Sequence, residues 1–391
     1  QPAAFAERQS VLRFCERGVR MFDDYRTMLD ACGDELDLVT IPTPIPLHAS
    51  MHRACVERGI PVYLEKPPTL DYEELQRMLA VEASAGRDTM VGFSYIVEEE
   101  RQALKRRIVA GEFGRVRCIS VIALWPRSSA YYARASWAGR LQLDGRLVLD
   151  SVLGNANAHY VHSSLFWGGV QQLWSWGFPR EVQAEMYRAH PIEGTDTVFV
   201  KAVLEEGPEI RIALSHACDG LAFDQEWVEC EHATITRRSE LTPEGQWQRS
   251  FTLTHADGRS AAMTPMTGSH LQANLRQYFT YLRGEADRPL TRLEDTRPFV
   301  ALHSLAYLAA GRITSVPAAA VTVRDNAGNA TERFIAIDGL AEVAKRFLET
   351  GAFPSDQGIA WAKIGGRATP ADLPQYIMKM HTMVKEAAVR G

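Results

Sequence analysis

Glu65 and Lys66, followed at once by Pro67 and Pro68, form the pair whose types and spacing point most directly to chemistry. They close Val62-Tyr63-Leu64, a run with strand character. Strands usually end in Gly, Asn or Asp. Here two prolines, which lack amide hydrogens, stop the ladder and leave an acid and a base at its carboxyl end. In an open α/β sheet that edge is where ligands bind; the competing reading is a surface ion pair ahead of a loop. Lys66 must face inward while the chain turns sharply, so the Lys66–Pro67 bond is expected to be cis, a form costing only ~0.5–1 kcal/mol before proline. Further on, Asp150-Ser151 ends a strand, and Asn155 is placed to cap a helix that carries His159 and His162 three apart on one face. A histidine on a helix is more often packed than reactive. A lysine, a carboxylate and an imidazole in one cleft would nevertheless make a proton-handling set.

Between these groups lie Trp125, Arg127, Tyr131, Tyr132, Arg134 and Trp137. Aromatic faces stack on sugar rings and arginine pairs with carboxylate or phosphate; a loop packed against a sheet would use the same residues. Glu185, His190 and Asp196 lack metal-ligand spacing, and no metal is expected.

The elements that must position these residues change character along the chain. Helix is expected early in residues 1–30, a short strand over 19–22 and a helix over 24–31. Strands at 36–41, 60–64 and 89–93 then alternate with helices at 48–58 and 72–85, the pattern of a parallel, doubly wound sheet. After a helix at 98–110 and a strand at 116–124, strands dominate: 172–177, 181–189, 196–204, 209–216, 226–231, 234–238 and 250–255. They read as an antiparallel meander. Helices return at 272–282 and 298–310, with two more near 339–349 and 371–387. The expectation is an α/β domain over residues 1–95, an α+β domain over 96–335 and a helical extension over 336–391.

A length of 391 residues suits two or three domains of ~150 residues each. The net charge of −5 gives no reason to expect nucleic acid or an anionic membrane as partner. No apolar run approaches the ~20 residues of a membrane span, and no signal peptide opens the sequence. Six scattered cysteines suggest buried free thiols and a cytoplasmic location.

The motifs, taken in order, resemble the glucose–fructose oxidoreductase / inositol dehydrogenase / MocA family. They are Asp37-Leu38-Val39-Thr40-Ile41-Pro42-Thr43-Pro44 with His48, Gly59-Ile60-Pro61-Val62-Tyr63-Leu64-Glu65-Lys66-Pro67, Gly111-Glu112-Phe113-Gly114-Arg115-Val116, and Gly145-Arg146-Leu147-Val148-Leu149-Asp150 with His159 downstream. The resemblance covers about residues 15–315. It implies a Rossmann-type dinucleotide-binding domain followed by a large, mostly antiparallel sheet covered by helices on one face. It also implies NAD or NADP as cofactor and a sugar or polyol as substrate. Such proteins open with a Gly-x-Gly-x-x-Gly turn, and this sequence starts at what looks like the end of the next strand. They usually place Asp and His four apart; here the fourth residue after Asp150 is Gly154, and His159 stands four after Asn155.

On this resemblance Lys66, Asp150 and His159 are the expected catalytic residues. Lys66 handles the hydroxyl proton beside the nicotinamide, His159 is the other natural base, and Asp150 orients one of them. Pro42, Thr43, Pro44, His48, Glu65 and Lys66 are expected to contact cofactor, with Glu65 on the nicotinamide-side ribose. Trp125, Arg127, Tyr132, Arg134, Asn155 and His162 are expected to line the substrate. Rival readings are an NAD-dependent glycosidase of the same fold and a non-catalytic binding or regulatory homologue. A sheet covered on one side only would leave an apolar face bare, so a homodimer or homotetramer through that face is expected.

Overall fold

The computed structural model describes residues 9–241, 247–263, 268–326 and 328–390. Helices α1 (Gln9–Glu16) and α2 (Tyr25–Cys32) lead in, and Asp24 starts α2 by accepting from the amides of Arg26 and Thr27. Next come β1 (Val39–Ile41), α3 (His48–Val56), β2 (Val62–Leu64), α4 (Tyr72–Glu82) and β3 (Met90–Val91). The three strands pair in parallel in the order β1-β2-β3. All of β2 is buried, as its unbroken apolar run requires. The expected strand at 19–22 does not form: these largely exposed residues pair with no strand among the described ones. Residues 1–8 of the expected first helix lie outside the described residues.

The chain continues through α5 (Glu99–Val109), β4 (Val116–Leu124), α6 (Ser129–Ala133) and a hairpin of β5 (Gln142–Leu143) and β6 (Arg146–Leu147). Asp144 and Gly145 turn that hairpin with φ of 50° and 77°, the conformation an Asp-Gly two-residue loop adopts. A π-helical turn (Val152–Ala156) then enters α7 (Ala158–Gly168). Strands β7 (Pro179–Arg188), β8 (Thr197–Leu204), β9 (Glu209–Ser215), β10 (Phe223–Cys230), β11 (Ala233–Leu241), β12 (Trp247–His255) and β13 (Ser260–Met263) follow. After them come α8 (His270–Leu282), α9 (Arg297–Ala310) and β14 (Ile313–Ser315). The expected strand at 172–177 is instead a turn. Its backbone closes the end of α7, with the Gly177 amide donating to Leu165 and the Ser175 hydroxyl to Gly169.

The large sheet runs β13-β12-β11-β10-β4-β9-β8-β7-β14 and is mostly antiparallel. It is not a simple meander. The first strand, β4, inserts between β9 and β10 and lies parallel to β9. Eight of its nine residues are buried, so only a central place in the sheet covers it on both sides. One face of the sheet, carrying Ile119, Val121, Val200 and Ile212, shares a continuous core with α7, α9 and the three-stranded sheet.

The other face is not bare. Beyond the hairpin of β15 (Val321–Asn326) and β16 (Asn329–Ile337), helix α10 (Leu340–Thr350) lays Leu340, Val343 and Phe347 on Ile122, Phe199 and Ala213 of the sheet. Phe353 and Trp361 extend this cover. The tail is therefore not a purely helical appendage: β17 (Arg367–Ala368) adds to the edge of β7 before the last helix, α11 (Tyr376–Arg390). The apolar face expected to drive self-association is closed over β4, β7, β8 and β9 by the chain itself.

Candidate active site

The parallel strands bring three turns together at their carboxyl ends, after Ile41, Leu64 and Val91. The Lys66–Pro67 bond between the second strand and its loop is cis, as the sequence suggested. Lys66 is half-buried, and its Nζ donates to the main-chain oxygen of Asn155 at 2.8 Å and to its Oδ1 at 3.1 Å. Asn155 Nδ2 in turn donates to Asp150 Oδ1 at 2.8 Å, and the Gly139 amide donates to Asp150 Oδ2 at 2.7 Å. Asn155 thus bridges base and acid and does not cap the helix. The π-helical turn is capped by Ser151, whose hydroxyl accepts from the Gly154 amide, and α7 begins after Asn157. Two of the three ammonium donors go to Asn155, leaving one for a ligand oxygen.

His159 sits on the first turn of α7. Its ring stacks on Tyr95, centres 5.1 Å apart, and its Nδ1 accepts from the Ser94 amide at 3.3 Å. An amide can only donate, so the neutral ring carries its hydrogen on Nε2. Burial and then the Lys66 charge hold His159 well below the usual histidine range. The neutral ring is thereby arranged as a donor, where the sequence reading treated it as a base. Burial also pushes Lys66 down, opposed by Glu65 and Asp150 and helped by Arg134. It pushes Asp150 up, against the Gly139 amide, Asn155, Arg134 and Lys66.

The remaining expected residues divide. Glu65 is half-buried beside Lys66, and a Cβ on Gly92 would stand 3.0 Å from the Tyr63 hydroxyl and 3.4 Å from Glu65 Oε1, so the glycine lets both side chains pack against the end of the third strand. Thr43 Oγ1 contacts Met51 Sδ at 3.5 Å in the turn between Pro42 and Pro44. His48 is buried, its two ring nitrogens 2.9 Å and 2.8 Å from the carbonyls of Pro67 and Thr43. It clamps two of the turns together and has no nitrogen left for a ligand. His162 is not brought to the cleft. It is fully buried, stacked on Phe93 with centres 3.9 Å apart and packed by Trp176.

Arg134 is exposed, and its charge acts on Lys66 and Asp150. Trp125 donates to Asp224 at 3.3 Å, and Tyr132 meets His216 Nδ1 at 3.1 Å. Arg127 donates its amide to the His216 carbonyl at 3.1 Å. Sequence reasoning missed Ser94 and Tyr95, which contact His159, and Arg249, whose charge acts on it; the strand end at residue 93 was the one signal for the first two, and Arg249, on β12, had none.

A family model described as "Oxidoreductase family, NAD-binding Rossmann fold" (GFO_IDH_MocA) matches residues 4–93, the stretch that builds these turns. In sequence, residues 4–93 are therefore similar to the Gfo/Idh/MocA family. Inositol 2-dehydrogenase 4 of Saccharopolyspora erythraea is 40% identical over 84 residues, which are 21% of this chain and 25% of that protein. An inositol 2-dehydrogenase of Mycolicibacterium smegmatis is 37% identical over 105 residues, 26% and 30% of the two chains. The aligned part thus spans about a quarter to a third of these relatives.

Likeness of fold extends further. The WlbA dehydrogenase of Bordetella pertussis, solved with NADH and UDP-GlcNAcA, superposes with a TM-score of 0.62 at 23% identity, covering 78% of this chain and 85% of that one. The aldose-aldose oxidoreductase of Caulobacter crescentus, complexed with glycerol, gives 0.61 at 16% identity over 76% and 85%. The matched segment holds the residue types that would suit the nicotinamide-ribose half of a dinucleotide. It offers a carboxylate (Glu65) and a hydroxyl (Thr43) at the ligand-binding edge of a parallel sheet.

Proposed function

We propose that this chain is an NAD(P)-dependent oxidoreductase that moves a hydride between a nicotinamide and the CH–OH carbon of a sugar, polyol or related hydroxy compound. The observation that carries the reading is the Lys66–Asn155–Asp150 chain of hydrogen bonds at the carboxyl end of β2. The names of the inositol 2-dehydrogenase and sugar-oxidoreductase relatives support the substrate class. Glu65, Thr43 and the flanking Pro42 and Pro44 hold the nicotinamide ribose, and the bound dinucleotide supplies the hydride acceptor. Lys66, kept low by burial, accepts the hydroxyl proton. Asn155 fixes the lysine and relays the stabilising charge of Asp150. His159 Nε2–H donates to the reacting oxygen and steadies its developing charge.

In this reading residues 1–95 bind cofactor, 96–335 bind substrate, and 336–391 complete the large sheet. Among the described residues the tail's apolar cluster includes none from β11 to β13, whose outer face is left for self-association, and the free thiols suit a reducing cytoplasm. The test is turnover of a panel of polyols and sugars followed by NAD(P)H absorbance. Lys66→Met should lower kcat by about 10²–10⁴-fold while leaving NAD(P)H affinity nearly unchanged. Near-normal turnover in that variant would remove the mechanism.

A further inference from the structure

Five side chains between residues 125 and 137 stack in alternation. The Arg127 guanidinium lies 5.6 Å from the centre of the Trp125 ring and 4.8 Å from that of Tyr131. Arg134 lies 3.6 Å from Tyr131 and 4.9 Å from Trp137. The two arginines end differently. Arg127 turns a buried Nε into the fold, and its charge reaches Tyr131 and His216. Arg134 is exposed, one of its nitrogens is held by the Tyr131 carbonyl, and it forms no ion pair among the described residues.

The loop that follows Arg134 is tied to the proton-handling site: the Gly139 amide donates to Asp150 Oδ2 at 2.7 Å and the Asp150 amide to the Arg140 carbonyl at 2.9 Å, and the charge of Arg134 acts on Lys66 and Asp150. Asp150 forms no ion pair with Arg134 among the described residues; its two carboxylate oxygens accept from the Gly139 amide and from Asn155. A second arginine, Arg249, meets His270 Nδ1 at 3.1 Å and acts on His159 from another strand. Lys66, Arg134 and Arg249 thus bring three positive charges to the site, against the carboxylates of Glu65 and Asp150 and of Glu98, which lies 3.6 Å from His270. A guanidinium stacked through its faces keeps its edge donors free and pre-oriented for two oxygens at once.

We propose that the substrate carries a carboxylate or a phosphate, and that Arg134, gripped between Tyr131 and Trp137, holds it. This rests on the oxidoreductase reading for turnover, but anion binding can be read without it. The probes are glucose, glucuronate, glucose 6-phosphate and gluconate, each tested by calorimetry with NAD(H) present and by NAD(P)H-linked turnover. The anionic probes should bind and turn over better than glucose, and the carboxylate and phosphate arms tell which anion fits. Arg134→Gln should cut the ratio of anionic to neutral kcat/KM by about 10–100-fold, and Arg134→Lys should restore part of it. Arg134-dependent anion binding without any turnover would keep the anion site and sink the oxidoreductase reading. Turnover of glucose matching that of the acids, or a ratio untouched by Arg134→Gln, would overturn the proposal. So would a panel in which no anion shows Arg134-dependent binding.

Discussion

The pH dependence of the reaction separates Lys66 from His159. A base must shed its proton before it can accept another, so alcohol oxidation should speed up as Lys66 deprotonates. Burial lowers that step beneath the 10.5 of an ordinary lysine, and the activating limb of the kcat profile should lie correspondingly below it. Lys66→Met should abolish the limb. His159 acts as a neutral donor from Nε2, so His159→Ala should lower kcat by about 10²–10³-fold, the loss expected for one donor to a developing oxyanion, with the limb kept. If His159→Ala erases the limb as well, the imidazole is part of the base and the Ser94 contact does not fix its tautomer.

At the scale of elements, the π-helical turn that carries Asn155 depends on what lies beneath it. A Cβ on Gly154 would stand 2.8 Å from His303 Nε2 of helix α9, a ring that is fully buried and pushed down to about 3. The space that a side chain four residues after Asp150 would need is therefore filled from another helix. Gly154→Ala should displace Asn155, lowering kcat and thermal stability together. Adding His303→Ala should recover part of both, a coupling read by a double-mutant cycle.

A second joint ties α5, α7 and β10. Arg101 donates to Glu226, which also accepts from Ser163 and Trp167, all of them buried. Arginine charges and these donors overcome burial and depress Glu226 to about 2. Its stabilising effect is complete above the unfolded value near 4.5 and is lost as pH falls from there toward 2. Glu226→Gln should cost about 3–5 kcal/mol in urea melts at neutral pH, and should flatten the loss of stability between those limits.

For the molecule as a whole, the tail acts as the second cover of the large sheet. Phe347 is fully buried between Phe199 and Phe353, with ring centres 5.3 Å and 5.0 Å away. Phe347→Ala should destabilise by about 3–5 kcal/mol. Removing residues 338–391 should uncover Ile122, Tyr187 and Phe199 and raise the mass seen by light scattering above that of the intact chain through added self-association. Unchanged mass and solubility of the shortened chain would show that α10 is dispensable cover. No helix among the described residues is long and apolar enough to cross a membrane.

What the sequence determined by itself was local. The alternation of apolar runs with caps and glycines places β1 to β3 and β4 within a residue or three of their ends, and the Pro67-Pro68 stop puts Glu65 and Lys66 at a ligand edge. The cis bond before Pro67 was legible for the same reason, since the constraint lies within two adjacent residues. Only tertiary structure decided the partners. Asn155 looks like a cap until Lys66, 89 residues away, is seen to donate to it. His159 and His162 share a helical face and both meet Phe93, yet only His159 accepts from the Ser94 amide, while His162 stacks flat on Phe93 and is fully buried. Nor does periodicity tell whether the second face of a sheet meets solvent, another copy or the chain's own tail: each asks for the same alternating apolar residues, and here α10 supplies the answer.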